Sequence, residues 1–289
     1  MRIRDFILGA FAVVAMASCS LYADIVISNN FDGMADDVGP GFQLLDNAVG
    51  GNASSFDATT GVVSIAGGIL GNGQAATNAA GFNNVSLAPL AADVESITAT
   101  FVIDSVDNVL NTRSNGFFIG LATGAGATDA TGAGLFNNTA ASVGLRFNSN
   151  DQPDEPLTIA QIITEGATGG DTSLQDVAGP AAADVEDGFT FEITLNSDGT
   201  VDASTTGLTT EIALTGGTLA DPSFADFLTD GVGVTASFQG GGGGFTVDSV
   251  TVHTEVIPEP SSLALLGLAS LGLVTRRRRF FKHACGRCP

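Results

Sequence analysis

Phe189-Thr190-Phe191-Glu192-Ile193-Thr194-Leu195-Asn196, with Ser197-Asp198-Gly199 behind it, decides the fold class. Phe189, Phe191, Ile193 and Leu195 alternate with Thr190, Glu192, Thr194 and Asn196. A period of two residues places the first set on a buried face and the second in water. Asn196-Ser197-Asp198-Gly199 then predicts a tight turn with Gly199 at positive φ, after which Val201 and Ala203 return along a partner strand. The unit is an antiparallel hairpin.

The same rhythm extends in both directions. Short β-branched or aromatic runs predict strands over 24–28, 61–65, 96–103, 117–123, 141–148, 157–164, 189–196, 200–205, 210–214, 232–238 and 245–256. Clusters of Gly, Asn, Asp and Thr separate them, and helix signals are nearly absent. In the last run Phe245 and Val247 share one parity and Val250 and Val252 the other, which predicts a bulge near Asp248-Ser249. Gly240 to Gly244 predict a mobile loop between the final two strands; no helix, Lys or Thr pattern follows that would make a phosphate cradle. With no proline-rich linker inside it, the body 24–255 reads as all-β, a single antiparallel β-sandwich.

Charge divides the chain. The body holds 29 of the 31 acids but only two cations, Arg113 and Arg146, a balance of −27. Such a surface repels phosphate backbones, so no nucleic-acid partner is expected. With 44% hydrophobic residues the chain has ample apolar surface to bury, and disorder is not expected. The body contains no cysteine, so a sizeable core rather than disulfides must hold it.

Chemistry is sparse. The only histidine of the body, His253, is read as strand surface beside Thr251 and Glu255, and a triad hydrolase lacks its base. The body has no Trp and no Tyr, so its aromatics are all Phe and offer a core before they offer a platform for sugars. A non-catalytic protein is therefore expected. Asp151, Asp154 and Glu155, in the stretch 148–155, are weak candidates for Ca²⁺, the one cofactor considered, since that ion takes six to eight oxygens at about 2.3–2.6 Å. Asp184, Glu186 and Asp187 form a second acidic stretch; both read first as solvated loops.

The ends carry addresses. Arg2 and Arg4, the apolar run Phe6 to Ala17 and the small residues up to Ala23 have the order of a signal peptide, 1–23. Cleavage after Ala23 competes with a lipobox-like reading of Met16-Ala17-Ser18-Cys19, in which Cys19 is lipidated. At the other end Pro258-Glu259-Pro260 cannot continue a strand or a helix interior, and makes a stiff, accessible break. The twelve uncharged residues 263–274 follow, with Leu263, Leu265, Leu266, Leu268, Leu271, Leu273 and Val274 as a membrane anchor. As a helix they cover roughly 18 Å, marginal against a hydrocarbon core near 30 Å. Arg276, Arg277, Arg278 and Arg279 then supply a cytoplasmic anchor, which places everything N-terminal to them outside. A tail, 280–289, follows with Cys285-Gly286-Arg287-Cys288, which lacks the further ligands of a zinc site.

Pro258-Glu259-Pro260, apolar helix and Arg cluster together resemble the sorting signal of PEP-CTERM proteins, over about the last thirty residues. That resemblance implies recognition and cleavage by an exosortase, a transpeptidase-like membrane enzyme. It also implies delivery to the cell surface or extracellular matrix of a Gram-negative bacterium, with exopolysaccharide as a partner. In the body, Asn30-Phe31-Asp32-Gly33, Gly116-Phe117-Phe118-Ile119-Gly120-Leu121 and the run Phe245 to Val252 resemble concanavalin A-like and laminin-G jelly rolls. The fold so implied is jelly-roll-like. Two functions follow: a non-catalytic surface or matrix component, or a glycan-binding or calcium-dependent adhesion module.

Overall fold

A computed structural model describes residues 23–33, 37, 41–47, 53–66, 79–86, 89–107, 112–123, 141–148, 159–165, 171–178, 182–240 and 243–256. Residues Ala23–Glu255 form one compact unit. The strands are β1 (Ala23–Asn29), β2 (Gln43–Asn47), β3 (Ala53–Asp57), β4 (Val62–Ala66), β5 (Ala79–Ser86), β6 (Val94–Asp107), β7 (Thr112–Thr123), β8 (Ser142–Asn148), β9 (Ile159–Glu165), β10 (Asp171–Ala178), β11 (Phe189–Asn196), β12 (Thr200–Thr206), β13 (Ala213–Thr218), β14 (Val232–Gly240) and β15 (Gly243–Val256). Among the described residues two short helices join them, α1 (Ala182–Glu186) and α2 (Phe224–Asp230).

The strands make two antiparallel sheets. Sheet A runs β13-β12-β11-β6-β15-β4-β3, with β1 also paired to β15; sheet B runs β10-β9-β8-β7-β14-β5-β2. The founding hairpin forms as predicted: β11 and β12 pair Leu195 with Val201 and Ile193 with Ala203, and Gly199 has φ 83°. Phe189, Phe191, Ile193 and Leu195 are all buried.

Phenylalanine fills the space between the sheets. Phe101 and Phe191 stack as cross-strand partners in sheet A, ring centroids 5.9 Å apart, and Phe117 and Phe147 stack at 6.4 Å in sheet B. Edge-to-face contacts close the gap: Phe117 meets Phe245 at 5.2 Å and Phe147 meets Phe189 at 5.5 Å. Such pairs add about 0.5–1.5 kcal/mol each to the burial of their area. Phe31 meets Phe42 at 5.0 Å and Phe82 at 6.0 Å. Its φ of 50° lies in the left-handed region, where the Asn29 side chain accepts its N–H at 2.6 Å.

The structure departs from the sequence reading at several points. The burial phase of β15 slips between Val247 and Val250 as expected, and there its neighbour on one side changes from β4 to β1. The glycine run is not simply a loop, because Gly240 belongs to β14 and Gly243 and Gly244 to β15. A Cβ on Gly244 would stand 1.9 Å from the Val63 carbonyl oxygen, so the residue is set by the close approach of β4. The acidic stretch at Asp184 is helical, and α1 drives Val185 into the core. Helix α2 begins where Ser223 N–H and Oγ–H donate to the Asp226 carboxylate at 2.7 and 2.8 Å, and it buries Phe224 and Phe227. The strand expected over 210–214 lies later, at Ala213–Thr218. Its predicted start is used instead to bind Thr205, whose N–H donates to the Ile212 carbonyl at 2.9 Å.

Candidate functional site

One segment and, among the described residues, two outward sheet faces carry the polar chemistry that bears on function. The segment comes first. Strand β15 runs to Val256, and Ala23 pairs with Glu255 and Asp24 with Thr254. The first residue that signal cleavage would expose and the last residues before the sorting segment thus lie on neighbouring strands. Pro258, Glu259, Pro260, the apolar residues Leu263 to Val274 and Arg276 to Arg279 lie outside the described residues, as do Cys19, Asp151, Asp154 and Glu155. No helix among the described residues is long and apolar enough to cross a membrane. Among them, too, no group of three or more His, Cys, Asp or Glu could hold a metal ion.

The outward face of sheet B is unusual for a sheet surface. Opposite parity to the core places Phe118 of β7, Arg146 of β8, Gln161 of β9 and Asp176 of β10 in one row across four strands. Phe118 is 1% exposed, Arg146 8% and Gln161 9%, so the row is nearly as dry as the interior until it reaches exposed Asp176. Arg146 Nε–H and Nη2–H both donate to Gln161 Oε1, at 3.0 and 2.7 Å. Gln161 Nε2–H donates in turn to Asp176 Oδ1 at 2.7 Å, and Ser173 Oγ–H to the same oxygen at 2.5 Å. The chain of donors ends on a carboxylate, so each buried polar atom along it is matched. Hydrogen bonds from Ser173 and Gln161, and then the Arg146 charge, hold the Asp176 carboxyl below its ordinary value against some desolvation. Two buried hydroxyls on this face, Ser142 Oγ and Ser237 Oγ, have no hydrogen-bond partner.

The outward face of sheet A differs: it is threonine-rich and acidic, and wet on β11 and β12 although Ser96 and Thr98 of β6 are buried. Thr98 and Thr194 hydroxyls meet at 3.0 Å across β6 and β11, and Thr100 Oγ–H reaches Glu192 Oε2 at 3.5 Å. His253 is half-buried here on β15, with Ile25 as its cross-strand partner; Ser96 Oγ–H reaches Glu255 Oε2 at 3.5 Å. The expectation of a strand-surface histidine matches this placement. A groove of about 220 Å³ opens on the same sheet between β11, β12 and β13. The Arg146 row and this groove both escaped sequence reading. The single signal for the row was a lone cation, Arg146, inside the apolar run Val143 to Phe147.

Comparison with known proteins bears on the segment and on the fold. Residues 256–279 match the PEP-CTERM protein-sorting motif. No curated protein matches the chain. Among solved structures, arcelin-5, a lectin-like defence protein from Phaseolus vulgaris, is similar at TM-score 0.51 and 10% identity, over 82% of this chain and 99% of that chain. The Lotus tetragonolobus seed lectin aligns over 83% and 100% at 12% identity, TM-score 0.49. A Shewanella oneidensis protein of unknown function aligns over 84% and 92% at 11% identity, TM-score 0.45. At such identity the arcelin likeness speaks for the fold alone and brings no ligand with it. The chain therefore carries a PEP-CTERM protein-sorting motif at 256–279 on a mostly β, antiparallel, sandwich-like body that resembles the lectin-like legume proteins.

Proposed function

We propose that the protein is an exported, non-catalytic component of the cell surface or extracellular matrix of a Gram-negative bacterium, sorted by an exosortase-type enzyme. The match over 256–279 carries this reading. In it, Pro258-Glu259-Pro260 is the recognition element. Residues 263–274 hold the chain in the inner membrane until it is processed, and Arg276 to Arg279 keep the tail cytoplasmic. Residues 1–23 serve as the export signal, 24–255 as the jelly-roll cargo and 280–289 as a tail removed with the anchor. The absence of Trp, Tyr and Cys from the body, and its single histidine, favour a structural cargo over an enzyme.

The test is the intact mass of the protein recovered from its own cells and culture medium. A mass ending near Pro258, with the arginines gone, supports processing. A mature mass that still extends to Pro289 overturns it and makes the protein a permanently anchored one.

A second reading, a glycan-binding or calcium-dependent adhesion module that contacts exopolysaccharide, is favoured by one observation. The buried Arg146–Gln161 pair ends on the exposed Asp176 carboxylate at the surface of sheet B, where a cation or a sugar hydroxyl can reach it. Titration of the full-length protein with Ca²⁺ and with an array of glycans tests it, and a flat response to both sinks it.

A further inference from the structure

The first strand of the body and the last lie side by side, and a cleavage bond sits inside that pairing. Ala23 and Asp24, the residues on either side of the bond cut when 1–23 is removed, both belong to β1. Ala23 stands opposite Glu255 and Asp24 opposite Thr254 on β15, which β6 holds from the other side. Fully buried Ile27, opposite Val252, anchors β1 in this register, with a register shift between it and Ile25. The ladder treats the two processing points differently. It takes up the Ala23–Asp24 bond, but β15 ends at Val256, before Pro258-Glu259-Pro260 begins.

An endopeptidase takes its substrate as a free extended segment, bound along the backbone on both sides of the scissile bond. A segment already paired in a sheet offers that bond only while the pairing is open, so cutting slows in proportion to the time spent closed. The order of synthesis separates the two states. Among the described residues β1 pairs with β15 alone, so β1 is exported first and its partner last. At about 5–20 residues per second, the stretch from Asn29 to Gly243 takes roughly 10–40 s to make, and throughout it β1 lacks its partner.

We propose that the closing of β1 onto β15 sets the order of maturation: the signal is cut while the body is still open, and a body that closes first keeps its signal. The ladder places no such limit on the sorting motif beyond it. The inference rests on the reading of 1–23 as an export signal and adds to it a dependence on folding.

The experiment follows cleavage of the full-length chain, made without export and folded in detergent micelles, by a purified signal peptidase, with the product read by mass. Two comparisons are run beside it. One chain carries Asp-Gly-Ser-Gly-Ser-Gly inserted between Ala23 and Asp24, which keeps Leu21-Tyr22-Ala23-Asp around the bond and moves the bond off the strand. The other is the natural chain given the peptidase as it is diluted from urea, before it folds; circular dichroism checks the folded samples. The expected result is cutting after Ala23 that is about tenfold or more slower in the folded natural chain than in both comparisons. A folded natural chain cut as fast as either comparison overturns the proposal and leaves the signal reading intact. No cut after Ala23 in any sample overturns both, a pattern that equal cutting cannot give.

Discussion

The two sheets share one core yet differ on their outer faces. In sheet A, β11 and β12 alternate buried with half-exposed or exposed residues, and the outward set is Thr, Ser, Asn, Asp and Glu. In sheet B, residues 117–123 of β7, 142–147 of β8 and 232–238 of β14 are buried without alternation. Phe118, Ala122, Ile163 and a matched Arg146 stand where sheet A has threonine. A face that water wets specifies itself residue by residue, whereas a sheet dry on both sides is defined by packing, with its charged Arg146 matched while the hydroxyls of Ser142 and Ser237 stay unpaired.

The largest expected effects test the shared core. Phe191→Ala in sheet A and Phe117→Ala in sheet B should each cost about 3–5 kcal/mol in chemical denaturation, because both rings are 0% exposed. If one of them costs under about 1 kcal/mol, the two inner faces are not equivalent. The outer faces should then part company. Phe118→Ala should cost nearly as much as a core truncation, since a Cβ at neighbouring Gly144 would fall 2.6 Å from the Phe118 ring and the ring fills that space. Thr100→Ala on sheet A should stay within about 0.5 kcal/mol. Equal costs would erase the contrast.

Next comes the polar row. Arg146→Met leaves Gln161 Oε1 without the two donors shown for it and should cost about 1–3 kcal/mol, while the double variant Arg146→Met with Gln161→Leu should regain part of the loss. A double variant less stable than the single one would show that the row acts through packing alone. The smallest effect is on acid stability. The folded-state Asp176 carboxyl lies below its ordinary value, so it stabilises the fold above about pH 3.9 and that contribution is lost as pH falls through the lowered value. Asp176→Asn should slightly lower stability at neutral pH and flatten its decline below about pH 4. Asp176 is exposed, so screening keeps the change small, and an unchanged acid limb in urea titrations at several pH values would refute the assignment.

Legibility followed the same division. The hairpin of β11 and β12 was plain because each side chain reports its face. Strands β7, β8 and β14 were found as apolar runs, but the run by itself could not say that both faces are dry. Strands β2, β3, β5 and β10 were missed. QLLDN, ASSFD, AAGFNNVS and DTSLQDVA have little alternation, and their extended backbone is templated by neighbours, as β5 is by β14. Helix α2 could have been found from Ser223 and Asp226 three residues apart, ahead of Phe227. The Arg146 row and the sheet A groove were beyond reach, since each joins residues on three or four strands through long-range register.

The sequence alone determined the all-β class, the acidic body, the founding hairpin and the tripartite motif at 256–279, because each is written in local composition, parity or order. Tertiary structure alone decided which strands neighbour which and which outward face is dry. It also decided that Arg146 finds Gln161 and Asp176, and that β15 sets Glu255 beside Ala23. The reason is physical: side-chain alternation reports that a face is buried, but the partner that buries it is chosen by packing and backbone pairing between segments far apart in the chain.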